Sequence, residues 1–334
     1  MLRLPAFEHL RAESVRDAAG MLADHGGTAR LLAGGTDLLA KMKRRQVMPD
    51  ALVGIGHLAP LREVRVAPSG AAELGAAVTL AEALADRRLA ADQPGYLEAV
   101  GVVSSPALRN AGTIGGNLCV DTRCNYNDMT EEWRHAVGYC LKTGCGERCQ
   151  VAASSPRCWA IFSSDTAPMA IALGATVVVW GAEGERELPL GTLYADDGKA
   201  HLQLGPAEIL TALRLPARRG WRVAYEKLRR RSAVDFPLAG AAVALELDGD
   251  VVAACRLVLG AVASHPVELH DVAQALTGRR LDDEAIEEAA TAGARLAKPL
   301  DNSDLNYVWR KRMVKVILER ALRRAAGADR GRLR

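Results

Sequence analysis

No apolar run of about 18 residues occurs anywhere in this 334-residue sequence, so a membrane-spanning helix is not expected. Net charge is nearly absent too. The 43 Lys and Arg stand against 40 Asp and Glu, and the resulting +3 does not advertise a nucleic-acid partner. Met1 to Leu10 has no apolar stretch behind its basic residue, so no secretory signal is expected and the chain reads as cytoplasmic. There is no internal repeat and no low-complexity tract. No acid–base pair or nucleophile constellation stands out that would work on a substrate. Hydrophobic residues at 49% and charged residues at 25% describe an ordinary globular protein, long enough for two or three units.

Charge and cysteine are both unevenly distributed. Residues 310–334 carry ten Arg or Lys and two acids, either a solvated helix end or a surface that docks an acidic partner. Six of the seven cysteines, Cys119, Cys124, Cys140, Cys145, Cys149 and Cys158, fall within 40 consecutive residues. C-x₂-C spacing is missing, so neither a zinc ribbon nor the bacterial ferredoxin pattern fits. Residue types alone leave open an iron–sulfur cluster, a four-cysteine zinc site or a set of disulfides. The segment 119–158 has little periodicity and reads as an insertion folded around something other than its own apolar side chains.

Elsewhere the patterning is regular. Ser14 opens a helix that stops at Gly26-Gly27, and Ala29–Ala33 and Ala51–Ile55 read as buried strands. Residues 62–67 and 72–77 read as a hairpin, Thr79-Leu-Ala-Glu82 as a capping box, 94–103 as a helix, and Asp165 as the cap of a helix to Leu173. Strands are expected at 175–180, 185–189 and 208–215. After a linker at Arg218-Arg219-Gly220 the style changes. A strand at 221–229 and a hairpin around Asp248-Gly-Asp250 precede helices at 266–276, 282–297 and 304–325. The last helix is expected to bury Leu305, Trp309, Met313, Val316 and Ile317 on one face.

Two glycine pairs are placed where backbone has to come close to something. Gly34-Gly35-Thr36 lies between a strand and a helix, where free N–H groups and the helix dipole can cradle a phosphate; an ordinary strand-to-helix turn has the same appearance. Thr113-Ile-Gly-Gly-Asn117, preceded by Arg109-Asn110, repeats the theme and suggests two loops gripping one pyrophosphate. Gly54-Ile-Gly-His-Leu-Ala59 imitates a dinucleotide fingerprint, but Pro60 comes too early for the helix that fingerprint needs. Lys227, in a basic run, is either a solvated strand residue or a cation beside an electron-rich ring.

Together these motifs resemble the FAD-binding subunits of the xanthine dehydrogenase and carbon monoxide dehydrogenase family. The resemblance rests on Gly34-Gly35-Thr36, Arg109 to Asn117, Ser164-Asp165-Thr-Ala-Pro168 leading to Ala172-Leu-Gly-Ala175, Glu208-Ile-Leu210 and Lys227. It implies an α+β fold: a PCMH-type FAD-binding domain of two subdomains, 1–58 and 59–218, followed by a CO-dehydrogenase-flavoprotein-like domain at 219–334. It also implies FAD contacts from Leu31, Leu32, Ala33, Gly34, Gly35, Thr36, Asp37, Leu38, Thr113, Gly115, Gly116, Asn117, Asp165, Leu210 and Lys227. No residue carries a catalytic assignment.

Most members pass directly from Gly-Gly-Asn to Ser-Asp, whereas here residues 118–163 intervene. That insertion resembles the one in the β subunits of 4-hydroxybenzoyl-CoA reductases, which carry a 4Fe-4S cluster. The resemblance implies Cys124, Cys140, Cys149 and Cys158 as ligands, with Cys145 the alternative to Cys149. It further implies a large molybdopterin subunit and a small 2Fe-2S subunit as partners, a dimer of heterotrimers, and an external carrier such as ferredoxin. Electrons would pass through this chain towards reductive dehydroxylation. A flavin subunit of a purine-, aldehyde- or CO-type molybdenum hydroxylase, or a zinc-stabilised binding protein without redox role, are the other readings.

Overall fold

The computed structural model describes residues 2–327. The chain builds three sheets, and the glycine loops lie where the first two meet. Strands β1 (Glu8–Arg11), β2 (Ala29–Leu32) and β3 (Ala51–Gly54) form a parallel sheet in the order β1-β3-β2. Helix α1 (Val15–Asp24) connects β1 to β2 and buries Ala18 and Leu22, with Ser14 Oγ capping its start. Helix α2 (Leu38–Lys43) follows the first glycine loop.

A five-stranded antiparallel sheet, in the order β4-β5-β8-β6-β7, forms the second layer from β4 (Val64–Val66), β5 (Ala72–Gly75), β6 (Thr176–Gly181), β7 (Gly184–Pro189) and β8 (Ile209–Leu215). Short helices fill the chain between β5 and the insertion: α3 (Leu80–Ala85), α4 (Arg87–Asp92), α5 (Pro94–Gly101), α6 (Pro106–Arg109) and α7 (Ile114–Leu118). The expected capping box is formed at Thr79 and Glu82 and contributes on the order of 1 kcal/mol. Helix α9 (Thr166–Leu173) is buried on every side, as its apolar sequence requires, because it lies between this layer and the third sheet.

The third sheet, ordered β12-β11-β10-β9, comprises β9 (Arg222–Leu228), β10 (Ala239–Asp248), β11 (Val251–Gly260) and β12 (Val267–Glu268). Gly249 and Asp250 form a two-residue turn between β10 and β11, with Gly249 at φ +62°, a conformation that favours glycine. One face of β10, Ala242 and Ala244, meets the α9 side; the other, Ala241, Val243 and Leu245, is covered by α10 (His270–Leu276), α11 (Asp283–Leu296) and α12 (Tyr307–Ala326). The 266–276 helix expectation is half corrected: Val267 and Glu268 pair with Leu259 and Val258, so helix begins only at His270.

The face expected of the last helix is also corrected. Helix α12 buries Arg310, Val314, Ile317, Leu318, Ala321, Leu322 and Ala325, leaving Leu305 and Trp309 exposed. Alanines at 321 and 325 let the helix approach the sheet closely, and Arg310 is accommodated because its guanidinium donates to the carbonyls of Leu238, Leu300 and Ala261. Much of the basic charge around it is paired within the chain: Lys315 with Glu287, Arg323 with Asp283 and Glu319, Arg324 with Glu98 and Glu226. The rest of the basic run, 328–334, lies outside the described residues.

The insertion is ordered around helix α8 (Glu131–Ala136). Arg134 is buried and donates to the carbonyls of Arg44, Arg45, Asn127 and Met129, tying the insertion to the end of α2. Its own apolar cluster is small, consisting of Cys124, Cys158 and Ala160 with Tyr126 and Val151 alongside.

Candidate functional site

The first glycine loop approaches the second through backbone. A Cβ built on Gly34 would lie 2.7 Å from the carbonyl carbon of Ala111 and 3.1 Å from Gly112 Cα, so only glycine lets the loops touch. Gly35 has φ +69°, which bulky side chains resist. The N–H groups of Gly34, Gly35, Thr36 and Asp37 have no acceptor among the described residues. Leu31, Leu32, Ala33 and Leu38 flank them, all half-buried.

The second loop differs from the expectation. Its N–H groups are already used: Ile114 donates to Val78 O, Gly115 to Ala76 O at 2.8 Å, and Gly116 to Thr113 Oγ1 at 3.1 Å. Gly115 is required because a Cβ would press on the Ala76 backbone, and neither Gly115 nor Gly116 has a positive φ. The first loop thus offers donors and the second supplies a wall. Asn117 Oδ1 accepts from Ser164 Oγ at 2.8 Å and Thr166 Oγ1 at 2.7 Å, which fixes the side-chain amide at the edge of that wall. Ser163 Oγ, next to Ser164, is buried without a partner among the described residues. Leu210, buried in β8, neighbours Thr211, whose carbonyl accepts from Ala76 N and so continues the wall.

Asp165 is not the helix cap its position suggests. Ser164 Oγ takes the N–H of Ala167, and Asp165 turns away to bond Lys227 Nζ at 2.7 Å and the Tyr225 hydroxyl at 3.0 Å. Lys227 also donates to Val102 O at 3.0 Å. The side chains of Lys227 and Asp165 are 2% and 4% exposed, so Lys227 is neither a solvated strand residue nor an unpaired cation. Burial pushes the Asp165 carboxyl above its ordinary value, and the neighbouring ammonium and hydroxyl pull it part-way back.

The six clustered cysteines fall into two groups. Cys124, Cys140, Cys149 and Cys158 are buried at 4–7% exposure, and the titration of Cys124 and Cys158 is raised by neighbouring cysteines of the same four. Cys145 is exposed, and Cys119 packs against the main core near Tyr194. Burial pushes the Cys124 thiol up to about 12 and Cys158 to about 11. Ala160 N donates to Cys158 Sγ at 3.4 Å, and the N–H groups of Tyr126 and Asn127 favour the Cys124 thiolate. Among the described residues, no three His, Cys, Asp or Glu side chains gather closely enough for a single ion.

Between the two regions runs a set of buried and half-buried charges. Arg123, directly before Cys124, reaches Asp37 of the first loop at 3.2 Å, and its guanidinium stacks on Phe236 at 3.8 Å. Asp121 accepts from both Lys41 of α2 and Lys142.

Residues 5–218 match the family of FAD-binding domains in molybdopterin dehydrogenases, and residues 223–325 match the CO dehydrogenase flavoprotein C-terminal domain. The chain belongs to this family. It is 29% identical to the carbon monoxide dehydrogenase medium chain of Afipia carboxidovorans, over 96% of both chains. It is 31% identical to an aldehyde oxidoreductase FAD-binding subunit of Escherichia coli, over 79% of this chain and 83% of that one. A reconstituted CO dehydrogenase from Oligotropha carboxidovorans superposes with a TM-score of 0.80 at 27% identity, covering 98% of this chain and 99% of the other.

The family's cofactor fits the cradle. Its phosphate oxygens would be held by the N–H groups of Gly34 to Asp37, which have no acceptor among the described residues, and the Ser163 hydroxyl would be free for a further polar contact. The expected contacts left out Ser163, Ser164 and Thr166, although Ser164 and Thr166 stand in the motif that carries the resemblance. They also left out Asn302, which arrives from the C-terminal domain with no local signature. Asn302 Nδ2 donates to Trp159 O, and its backbone carbonyl accepts from Asn125 N at 3.0 Å, so one buried residue joins the successors of Cys158 and Cys124. Asn302→Ala should cost about 0.5–1.5 kcal/mol by urea unfolding, the net worth of the bond to the part-buried Trp159 carbonyl, because the backbone bond to Asn125 survives and Asn302 Oδ1 has no partner among the described residues. A loss below about 0.5 kcal/mol would show that the contact contributes nothing.

Proposed function

We propose that this chain is the FAD and iron–sulfur subunit of a molybdenum-containing 4-hydroxybenzoyl-CoA reductase. The supporting observation is the sorting of the cysteines: Cys124, Cys140, Cys149 and Cys158 are buried within one another's electrostatic reach, while Cys119 and Cys145 stand apart. Four buried cysteines supply the ligand number of a 4Fe-4S cluster, which takes four cysteine sulfurs. The resemblance of the insertion to the one in 4-hydroxybenzoyl-CoA reductase β subunits supports the aryl-CoA assignment. FAD and a 4Fe-4S cluster, when bound, supply one-electron transfer chemistry; this chain's residues hold them and keep water away. A large molybdopterin subunit would bind the aryl-CoA and a small 2Fe-2S subunit would link the two. A dimer of such heterotrimers, fed by a carrier such as ferredoxin in the cytoplasm, completes the reading.

Elemental analysis tests the cluster: about four iron and four sulfide per chain are expected, from the cluster formula. Serine at Cys124, Cys140, Cys149 or Cys158 should lose or degrade it, and serine at Cys119 or Cys145 should not. Zinc without sulfide would sink the proposal. Retention of the full iron content in Cys149→Ser, with loss in Cys145→Ser, would exchange those two ligands. Dehydroxylation of 4-hydroxybenzoyl-CoA should require all three subunits.

The names of the relatives favour a second reading, the FAD subunit of a CO-, xanthine- or aldehyde-oxidising enzyme. Oxidation of such a substrate by the reconstituted complex, without aryl-CoA reduction, would establish it.

A further inference from the structure

Lys142 carries a buried charge that neither cofactor cradle accounts for. It lies in the single 3₁₀ turn Leu141–Thr143 that begins directly after Cys140. Its side chain is 7% exposed, and Nζ donates to Asp121 Oδ1 at 2.7 Å and Gly198 O at 2.8 Å. Gly198 in turn donates its N–H to Cys158 O at 2.9 Å, and the Thr122 hydroxyl shares the same Gly198 carbonyl. The ammonium is therefore planted between the backbones of two of the four cysteines.

Its counter-charge is shared. Asp121 also accepts from Lys41, 5% exposed on α2, the helix that opens from the first glycine loop. His201 lies 4.0 Å from Asp121, but burial pulls it down to about 4 and it adds no charge at neutral pH. Lys41 also lies 3.7 Å from Asp37, so it divides its charge between two carboxylates, while Lys142 has Asp121 alone. Arg123 pairs with Asp37 and Asp128, so three cations and three carboxylates balance across this network, and position decides what the cluster feels: Lys142 stands two residues from Cys140.

We propose that Lys142 sets the reduction potential of the cluster held by the four cysteines, and that Asp121 limits its effect by dividing its charge with Lys41. This rests on the cluster reading given above. Four thiolates make such a cluster anionic, and taking up one electron adds a further negative charge with no bond made or broken. A buried cation favours the more negative state, because low dielectric leaves its field unscreened. Lys142 raises the potential, and Asp121 lowers it.

The test is a mediated redox titration of the cluster by electron paramagnetic resonance, on the intact complex, with dithionite as reductant. Lys142→Met should shift the cluster to a more negative potential, and Lys142→Arg should restore it towards the parent, with FAD, iron and sulfide content unchanged. A fully loaded Lys142→Met cluster at the parental potential overturns the proposal. If Lys142→Met does not hold its iron, Asp121→Asn decides: its cluster should titrate at a more positive potential, and a parental or more negative value overturns the proposal. Absence of iron and sulfide from the parent would instead overturn the cluster reading, which separates the two failures.

Discussion

Lys227→Met should destabilise the chain by about 3–5 kcal/mol, because it leaves the Asp165 carboxylate buried without its cation. The 2.7 Å pair joins β9 of the C-terminal domain to the start of α9, at the centre of the molecule. The variant can escape only by protonating Asp165. Burial already raises that carboxyl in the folded chain, and losing Lys227 raises it further. A carboxyl raised on folding holds its proton more tightly folded than unfolded, so its contribution favours folding at low pH and is lost as pH rises through the folded value. The stability deficit of Lys227→Met should therefore shrink as pH falls. Urea unfolding at several pH values measures this. The double variant Lys227→Met/Asp165→Asn should cost less than the sum of the single changes, since the residues are in contact. A deficit that is small and flat with pH would mean that the pair adds nothing. The flavin potential should change little, because Asp165 already compensates the lysine charge.

That pair also marks where local reasoning stopped. A Ser-Asp before an apolar helix has the composition of a cap, and Ser164 fills that role while Asp165 is claimed by a residue 62 positions away. The run Arg229-Arg230-Arg231 made Lys227 look solvated. Strand periodicity held the better signal, since Tyr225 and Lys227 are two apart on β9 and so share a face, the one that meets Asp165. Both glycine pairs were legible because each runs directly into a polar residue, Thr36 or Asn117. Their division of labour was not, because it depends on which N–H groups the Ala76 and Val78 carbonyls consume from another strand layer. For α12, apolar residues beyond the N-cap at Asn306 drew the expected face towards Leu305 and Trp309. Alanines and a hydrogen-bonded arginine set the real one. The cysteines were legible as a group, but telling the four buried ones from Cys119 and Cys145 without a family resemblance takes three-dimensional burial.

Gly34→Ala should abolish FAD retention, although it adds a single methyl group. The atoms in its way belong to the Ala111 carbonyl and Gly112 Cα, backbone that cannot turn aside as a side chain could. The loops must separate, and the four unpaired N–H groups from Gly34 to Asp37 move with them. Gly116→Ala meets only the Thr113 hydroxyl at 2.9 Å, which can rotate at the cost of a helix cap, about 0.5–2 kcal/mol. It should keep most of the flavin. Gly20→Ala is the control. It lies in α1 with nothing within 4 Å of an added Cβ, so it should bind FAD fully and gain about 0.5–1 kcal/mol from helix propensity. Flavin absorbance per chain after gel filtration, with free FAD omitted, ranks the three variants. Full flavin content in Gly34→Ala would mean that close contact of the two loops is dispensable for the cofactor.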